Sequence, residues 1–275
     1  MIRSPAVAGA FYAAGKEDLT KQIERCFKSE IGAGLPGKRG SSEIVAGVAP
    51  HAGYAYSGPV ASHLYKAIAE SKKIDTFVIL GPNHTGIGTA ASIMPEGAWA
   101  TPLGQAKIDS EIAAKLMRES KFIEMDDMAH VQEHSIEVQL PFLQYVDKDF
   151  KFVPICMMAQ DLNTAEAIGQ EIYNVCRDKN VMVIASSDFS HYEPQPVASK
   201  KDHMAIEAIE KLDVEAFYDV IASQNLSACG YGPITAAMTF AKAKGAKAKL
   251  LKYATSGDVT GDKTQVVGYA TIGMR

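Results

Sequence analysis

Three short apolar runs in this 275-residue chain each break at a glycine, proline or serine and then deliver a histidine. Ile44 to Gly53 reads IVAGVAPHAG and carries His51. Thr76 to Gly86 reads TFVILGPNHTG and carries His84, and Val181 to His191 reads VMVIASSDFSH and carries Asp188 and His191. A brief apolar run bounded by Gly or Pro is the pattern of a buried strand. Proline ends the pairing because it has no N–H to give to a ladder. Open α/β sheets bind ligands beyond the carboxyl ends of their strands. Three polar strand ends of this kind predict one site.

The segments between these runs read mostly as helices. Glu17–Glu30 places Leu19, Ile23, Cys26 and Phe27 on one stripe. Pro59 suits the first position of a helix running to Ala69, which also carries His63. Further helices are expected at Asp109–Glu119, Glu133–Pro141, Asn163–Asp178, Lys201–Leu212, Val214–Ala222 and Ile234–Lys244. Lys151–Met157 reads as another buried strand, Ala91–Met94 as a strand before a turn holding Trp99 and Thr101, and Lys249–Thr255 with Gln265–Ile272 as a strand pair. The glycine-rich loop Gly32–Ser42 lacks both a GK[ST] motif and a preceding strand, so it is not a phosphate loop. Alternating strands and helices without a linker predict one domain over residues 1–275, a three-layer α/β/α sandwich on a mixed sheet.

Composition removes several function classes. A formal net charge of −4 with scattered Lys and Arg gives no drive toward nucleic acid or an anionic membrane surface. The four cysteines form no CxxC pair, which points to free thiols in a reducing compartment. Pro5 and Gly9 interrupt the stretch where a signal peptide needs an apolar core, and no run approaches the roughly 20 residues of a membrane span. A cytoplasmic protein is expected.

The residues with chemistry to offer are His51, His84 and Cys229. Two neutral imidazoles and one anion with open positions describe a redox-capable metal site, and its usual version is two His and a carboxylate on iron(II). Cys229 precedes a helix, whose N-terminus favours a thiolate; the plain alternative is a small buried hydrophobe. Asp188 reads as a helix cap or, with His191, as a proton carrier near neutral pH. Ser186, Ser187, Asp188 and His191 lack the G-x-S-x-G elbow of a hydrolase. His130 and His134, beside Glu133 and Glu137, read H-V-Q-E-H, which departs from the HEXXH of zinc proteases; His134 is expected near the main site.

The chain resembles the Memo family, whose archaeal members are known as AmmeMemoRadiSam system protein B. The motifs are RSPAVAGAFY, PHAGYAYSGP, LGPNHTG, WATPLG, EHSIEVQLPFL, SSDFSHY, ACGYGPI and VVGYA, and they run through almost the whole sequence. The resemblance implies a fold like the LigB-like class III extradiol dioxygenases. It places His51 and His84 at the two metal histidines, Cys229 in the position of the carboxylate, and His191 at the acid/base histidine with Asp188 beside it. His134 and Tyr54 are the outer residues expected around that site. Iron(II) or copper(I) is the expected cofactor, ahead of zinc, since a thiolate is soft. The family is linked to metal binding, redox processes and, in eukaryotic members, phosphotyrosine peptides, and its archaeal name implies radical SAM and AMMECR1-type partners. The leading expectation is oxidoreductase-like chemistry. The others are a non-enzymatic protein that binds a peptide or small molecule in a cleft lined by Tyr54, Tyr56, Trp99 and Tyr192, and a zinc-dependent hydrolase.

Overall fold

Four parallel strands, Lys151–Met157, Thr76–Pro82, Val181–Ser186 and Ala46–Ala49, lie side by side in that order at the centre of a twelve-stranded mixed sheet. The computed structural model describes residues 1–275. All four strands are buried apart from Lys151 at the start of one of them. This is why they read as continuous apolar runs: a parallel strand covered on both faces has no solvent side to mark with polar residues. Leu80 is in register with Ile155 on one side and Ala185 on the other, and Ala49 with Ser186. The chain therefore leaves three of these strands at one edge, toward His84, Asp188 and His51.

Further strands extend the sheet on both sides, antiparallel beside Ala46–Ala49 and both parallel and antiparallel beyond Lys151–Met157. Val266–Met274 lies against Ala46–Ala49 and pairs with Ala248–Thr255 and with His191–Glu193. On the far side Lys151–Met157 meets Gly104–Ile108, then Ala98–Thr101, then Ile2–Arg3. One group of helices, Tyr231–Ala243, Leu162–Cys176 and Ser110–Glu119, packs on the sheet. A second group, Gly58–Ala69, Gln139–Val146 and Lys16–Lys28, packs together around Ala46–Ala49 and Val266–Met274. The expected α/β/α sandwich is thus the fold, with a contiguous core of 69 buried residues. No helix is long and apolar enough to cross a membrane.

Three local expectations differ from the structure. Trp99 lies in the strand Ala98–Thr101 and is fully buried, with its ring edge-on to Phe152 at 5.5 Å between centroids, so it lines no cleft. Glu133–Pro141 is not one helix. A single turn, Met128–Val131, is followed by irregular chain, and the helix begins only at Gln139. The reason is the Glu133 carboxylate, which takes the main-chain N–H groups of His134 and Ser135 at 2.9 Å each and so competes with helical pairing. Finally, the helix expected from Lys201 begins at Gln195 and carries Pro196 in its first turn, where the missing N–H costs nothing.

Candidate metal centre

His51 follows Pro50 at the end of its strand and is almost completely buried. Its main-chain N–H donates to Asp188 Oδ1 at 2.8 Å. Its Nδ1 lies 2.9 Å from Ser186 Oγ. That hydroxyl donates its one proton to the Ser135 carbonyl at 2.6 Å and accepts from Gln139 Nε2 at 2.7 Å. Gln139 is oriented in turn by the Tyr65 hydroxyl on its Oε1 and by the Pro50 carbonyl on its Nε2. With its proton committed, Ser186 can only accept from the ring, so His51 carries its proton on Nδ1. Its Nε2 lone pair then faces Cys229 Sγ at 3.1 Å. Burial, followed by the neighbouring His134 and His84, holds the His51 pKa well below the ordinary histidine value, so the ring is neutral.

The Nδ1 of His84 is held by a different device. Its Nδ1 lies 2.9 Å from Glu133 Oε1 and its main-chain N–H donates to Oε2 at 2.6 Å. Glu133 is fully buried. Burial opposes its ionisation, but the His84 ring and the main-chain donors of His84 and Ser135 outweigh this and bring its pKa down to about 2. A carboxylate can only accept, so His84 Nδ1 carries a proton, and in the neutral ring Nε2 is left free. The loop approaches this closely because residue 81 is glycine: a Cβ there would run into the side chains of Ser135 and Ile136. Ser135 Oγ uses that space to donate to the Pro82 carbonyl at 2.9 Å.

Cys229 arrives from another layer, two residues before the helix Tyr231–Ala243. Its sulfur accepts the Asp188 N–H at 3.3 Å. The helix N-terminus does not by itself make a thiolate here. Burial, then the charge of Asp188, pushes the thiol above its ordinary value. Ligand atoms of His51, His84 and Cys229 all lie within 4.8 Å of one another. A second group, His84, Glu133 and His134, meets the same distance condition, but the Glu133 oxygens are already engaged by His84 and the main chain.

The other expected residues take distinct places. His134 stacks on His84 with 4.6 Å between ring centroids and stands edge-on to His51 at 5.4 Å, so three imidazoles wall one space. Burial lowers its pKa against the pull of Glu133. Asp188 is buried, and burial raises its carboxyl to about 6 although the His51 N–H favours the charged form. His191 is half-buried. Its Nδ1 lies 2.9 Å from the Ser227 carbonyl, which can only accept, so its Nε2 is unprotonated in the neutral ring. Tyr54 belongs to the core: its hydroxyl donates to the Val138 carbonyl at 2.6 Å and its ring packs on Phe142. Tyr56 and Tyr192 are the exposed aromatics, and Tyr192 has φ of 59°. His130 is fully buried against Trp99, apart from the three clustered imidazoles. Sequence reasoning missed Ser186 and Gln139 as tautomer-setting groups and undervalued Glu133. Its signal for Glu133 was a carboxylate next to a histidine in a segment too polar for a plain helix start.

Comparison with known proteins agrees with this architecture. Residues 3–273 match the family described as Memo-like protein. A MEMO1 family protein of Methanopyrus kandleri is 54% identical, over 100% of this chain and 99% of its own length. Those of Saccharolobus islandicus and Sulfurisphaera tokodaii are 48% and 46% identical, over 98% and 99% of both chains respectively. A solved structure of an uncharacterized protein from Escherichia coli K12 superposes with a TM-score of 0.56 at 13% identity, over 83% of this chain and 99% of that one, and shares the fold. The chain belongs to the Memo family.

Proposed function

We propose that this protein holds one iron(II) or copper(I) ion on His51, His84 and Cys229 and serves oxidoreductase chemistry there. The observation that carries the reading is the pair of fixed tautomers. Ser186 and Glu133 each hold a histidine Nδ1 proton on the outer side, which leaves both Nε2 lone pairs for the space beside Cys229 Sγ. Metal-binding histidines characteristically donate their other ring N–H to such acceptors. The two imidazoles and one thiol suit soft or borderline ions, and a bound ion of this kind supplies redox cycling and Lewis acidity.

The chain's own residues supply positioning and proton handling. Asp188 fixes the main chain at His51 and at the same time gives its N–H to Cys229 Sγ, so it ties two ligands from different layers. His191 has its Nδ1 against the Ser227 carbonyl, so in its neutral form Nε2 is the atom suited to accept a substrate proton. His134 closes one wall of the space. Purification without oxygen followed by metal analysis tests the reading. About one equivalent of iron or copper is expected for the wild type, with loss in His51→Ala, His84→Ala and Cys229→Ala. Wild-type protein free of both metals when supplied with them, or variants that load as well as wild type, would overturn it.

A further inference from the structure

A buried ion pair ties the N-terminal segment to the turn that carries Glu133. Arg3 Nη1 lies 2.7 Å from Glu137 Oε2, and both side chains are buried. Arg3 Nε donates to the His130 carbonyl at 2.6 Å and Nη2 to the Glu133 carbonyl at 2.7 Å. The guanidinium lies over the Trp99 ring, 4.1 Å from its centroid. Glu137 in turn accepts the Ala6 and Val7 main-chain N–H groups and the Tyr12 hydroxyl, the last at 2.6 Å. Residues 3–12 are thus strapped onto the segment from His130 to Glu137 by one guanidinium and one carboxylate.

Stability alone does not account for this arrangement. Desolvating a buried pair offsets much of its attraction, so apolar residues of equal volume would hold the chain as well. What the pair supplies is geometry. The planar fork of Arg3 reaches three acceptors on one short segment, the His130 and Glu133 carbonyls and the Glu137 carboxylate, which a lysine ammonium cannot match. That segment has no helical pairing of its own at Glu133, yet Glu133 must stand in one place to accept both the main chain and the ring of His84.

We propose that Arg3 is a positioning residue for His84: with Glu137 it fixes the segment bearing Glu133, and Glu133 fixes the ring orientation and tautomer of His84. The metal-binding consequence rests on the reading of His84 as a ligand; the tautomer consequence does not. His51 provides an internal comparison: its Nδ1 rests on Ser186, which Gln139 also orients, so its link to the strapped segment runs only through the Ser135 carbonyl.

The test uses metal-free, full-length protein with nitrogen-15-labelled histidine, and long-range proton–nitrogen spectra that report which ring nitrogen carries the proton. Wild type is expected to show Nδ1–H for both His51 and His84. Glu133→Gln and Arg3→Lys are expected to turn the single His84 signature into a mixture, with His51 changed less because Gln139 still orients Ser186. Iron(II) or copper(I) titration should then show roughly 10- to 100-fold weaker binding in both variants. A folded Arg3→Lys whose His84 signature matches wild type would overturn the proposal, because a merely structural arginine lowers stability without moving a tautomer. Tyr12→Phe, which removes one hydrogen bond to Glu137, gives the same readout where Arg3→Lys does not fold. If wild type binds neither metal but the His84 tautomer still follows Arg3, the positioning role stands and the metal reading falls.

Discussion

His51 Nε2 and Cys229 Sγ stand 3.1 Å apart although 178 residues separate them in the chain. The contact depends on the groups behind each partner. Ser186 sets the tautomer of His51, and the Asp188 N–H meets the sulfur. Ser186 and Asp188 belong to one strand end, so a single stretch of chain orients candidate ligands that arrive from two others.

Removing the hydroxyl behind His51 tests this dependence. In Ser186→Ala the Nδ1–H loses its acceptor, and the Ser135 carbonyl and one Gln139 donor lose a partner in a buried place. The expected cost in stability is about 1–3 kcal/mol, and metal affinity is expected to fall by roughly 10- to 100-fold. Chemical denaturation and anaerobic competition titration measure the two effects separately. Unchanged affinity would show that the tautomer is set elsewhere.

Much of the fold was legible because the central strands have no solvent face. Continuous apolar runs such as Phe77–Leu80 have few other readings, and prolines stand at or just past the ends of two of these strands, at Pro82 and Pro50. The ligand candidates were legible for the same reason, since His51 and His84 stand just past those stops. What sequence could not reveal was long-range partnership. Ser186 looked like part of a Ser-His-Asp cluster, and only the fold turns it toward His51. Tyr54 follows His51 by three residues and looked like a site residue, yet the chain turns it into the core. Trp99 was read as a turn residue because Thr101 and Pro102 follow it, but a tight hairpin needs only those few residues and leaves Trp99 in the ladder. The thiolate expected at Cys229 from the helix end is opposed by burial: a sulfur enclosed by Ser187, Asp188 and His51 loses more by leaving water than a helix end returns.

The glycine after Cys229 carries a second prediction. A Cβ on Gly230 would stand 2.8 Å from Ser187 Cβ and would run into the Ser186 carbonyl. Backbone cannot yield as a flexible side-chain end does, so Gly230→Ala must push the start of the helix, and Cys229 with it, away from His51. It also strains the Gly230 N–H bond to Ser187 Oγ, now 2.9 Å. A loss of roughly 1–3 kcal/mol is expected, together with weakened metal loading. Wild-type loading in this variant would mean that the position of Cys229 is not critical.

Replacing the sulfur itself separates the metals. Cys229→Ser keeps the size of the side chain but exchanges a soft donor for a hard one. Copper(I) binding is expected to fall at least about tenfold, equivalent to about 1.4 kcal/mol, while any affinity for manganese(II) changes less. Parallel competition titrations under exclusion of oxygen give both numbers. Equal losses for the two ions would argue against a sulfur–metal bond.

Acid stability is expected to depend in part on a histidine away from this centre. His130 is fully buried, and no hydrogen bond of proper geometry reaches either ring nitrogen. Burial first, then the Arg3 charge, lowers its pKa from 6.5 to about 4, against weaker pulls from the Ser92 main chain, Asp126 and Glu133. The folded ring therefore binds a proton less readily than the unfolded one. Its contribution to stability is intact above pH 6.5 and is lost progressively as pH falls toward 4, by about 3 kcal/mol in all. His130→Phe keeps a planar ring against Trp99 and has no proton to take up. Because neither nitrogen is hydrogen-bonded, this variant is expected to match wild type at pH 7 and to exceed it increasingly between pH 6.5 and 4. Urea unfolding across that range measures the difference, and parallel curves for the two proteins would exclude His130 as the acid-sensitive group.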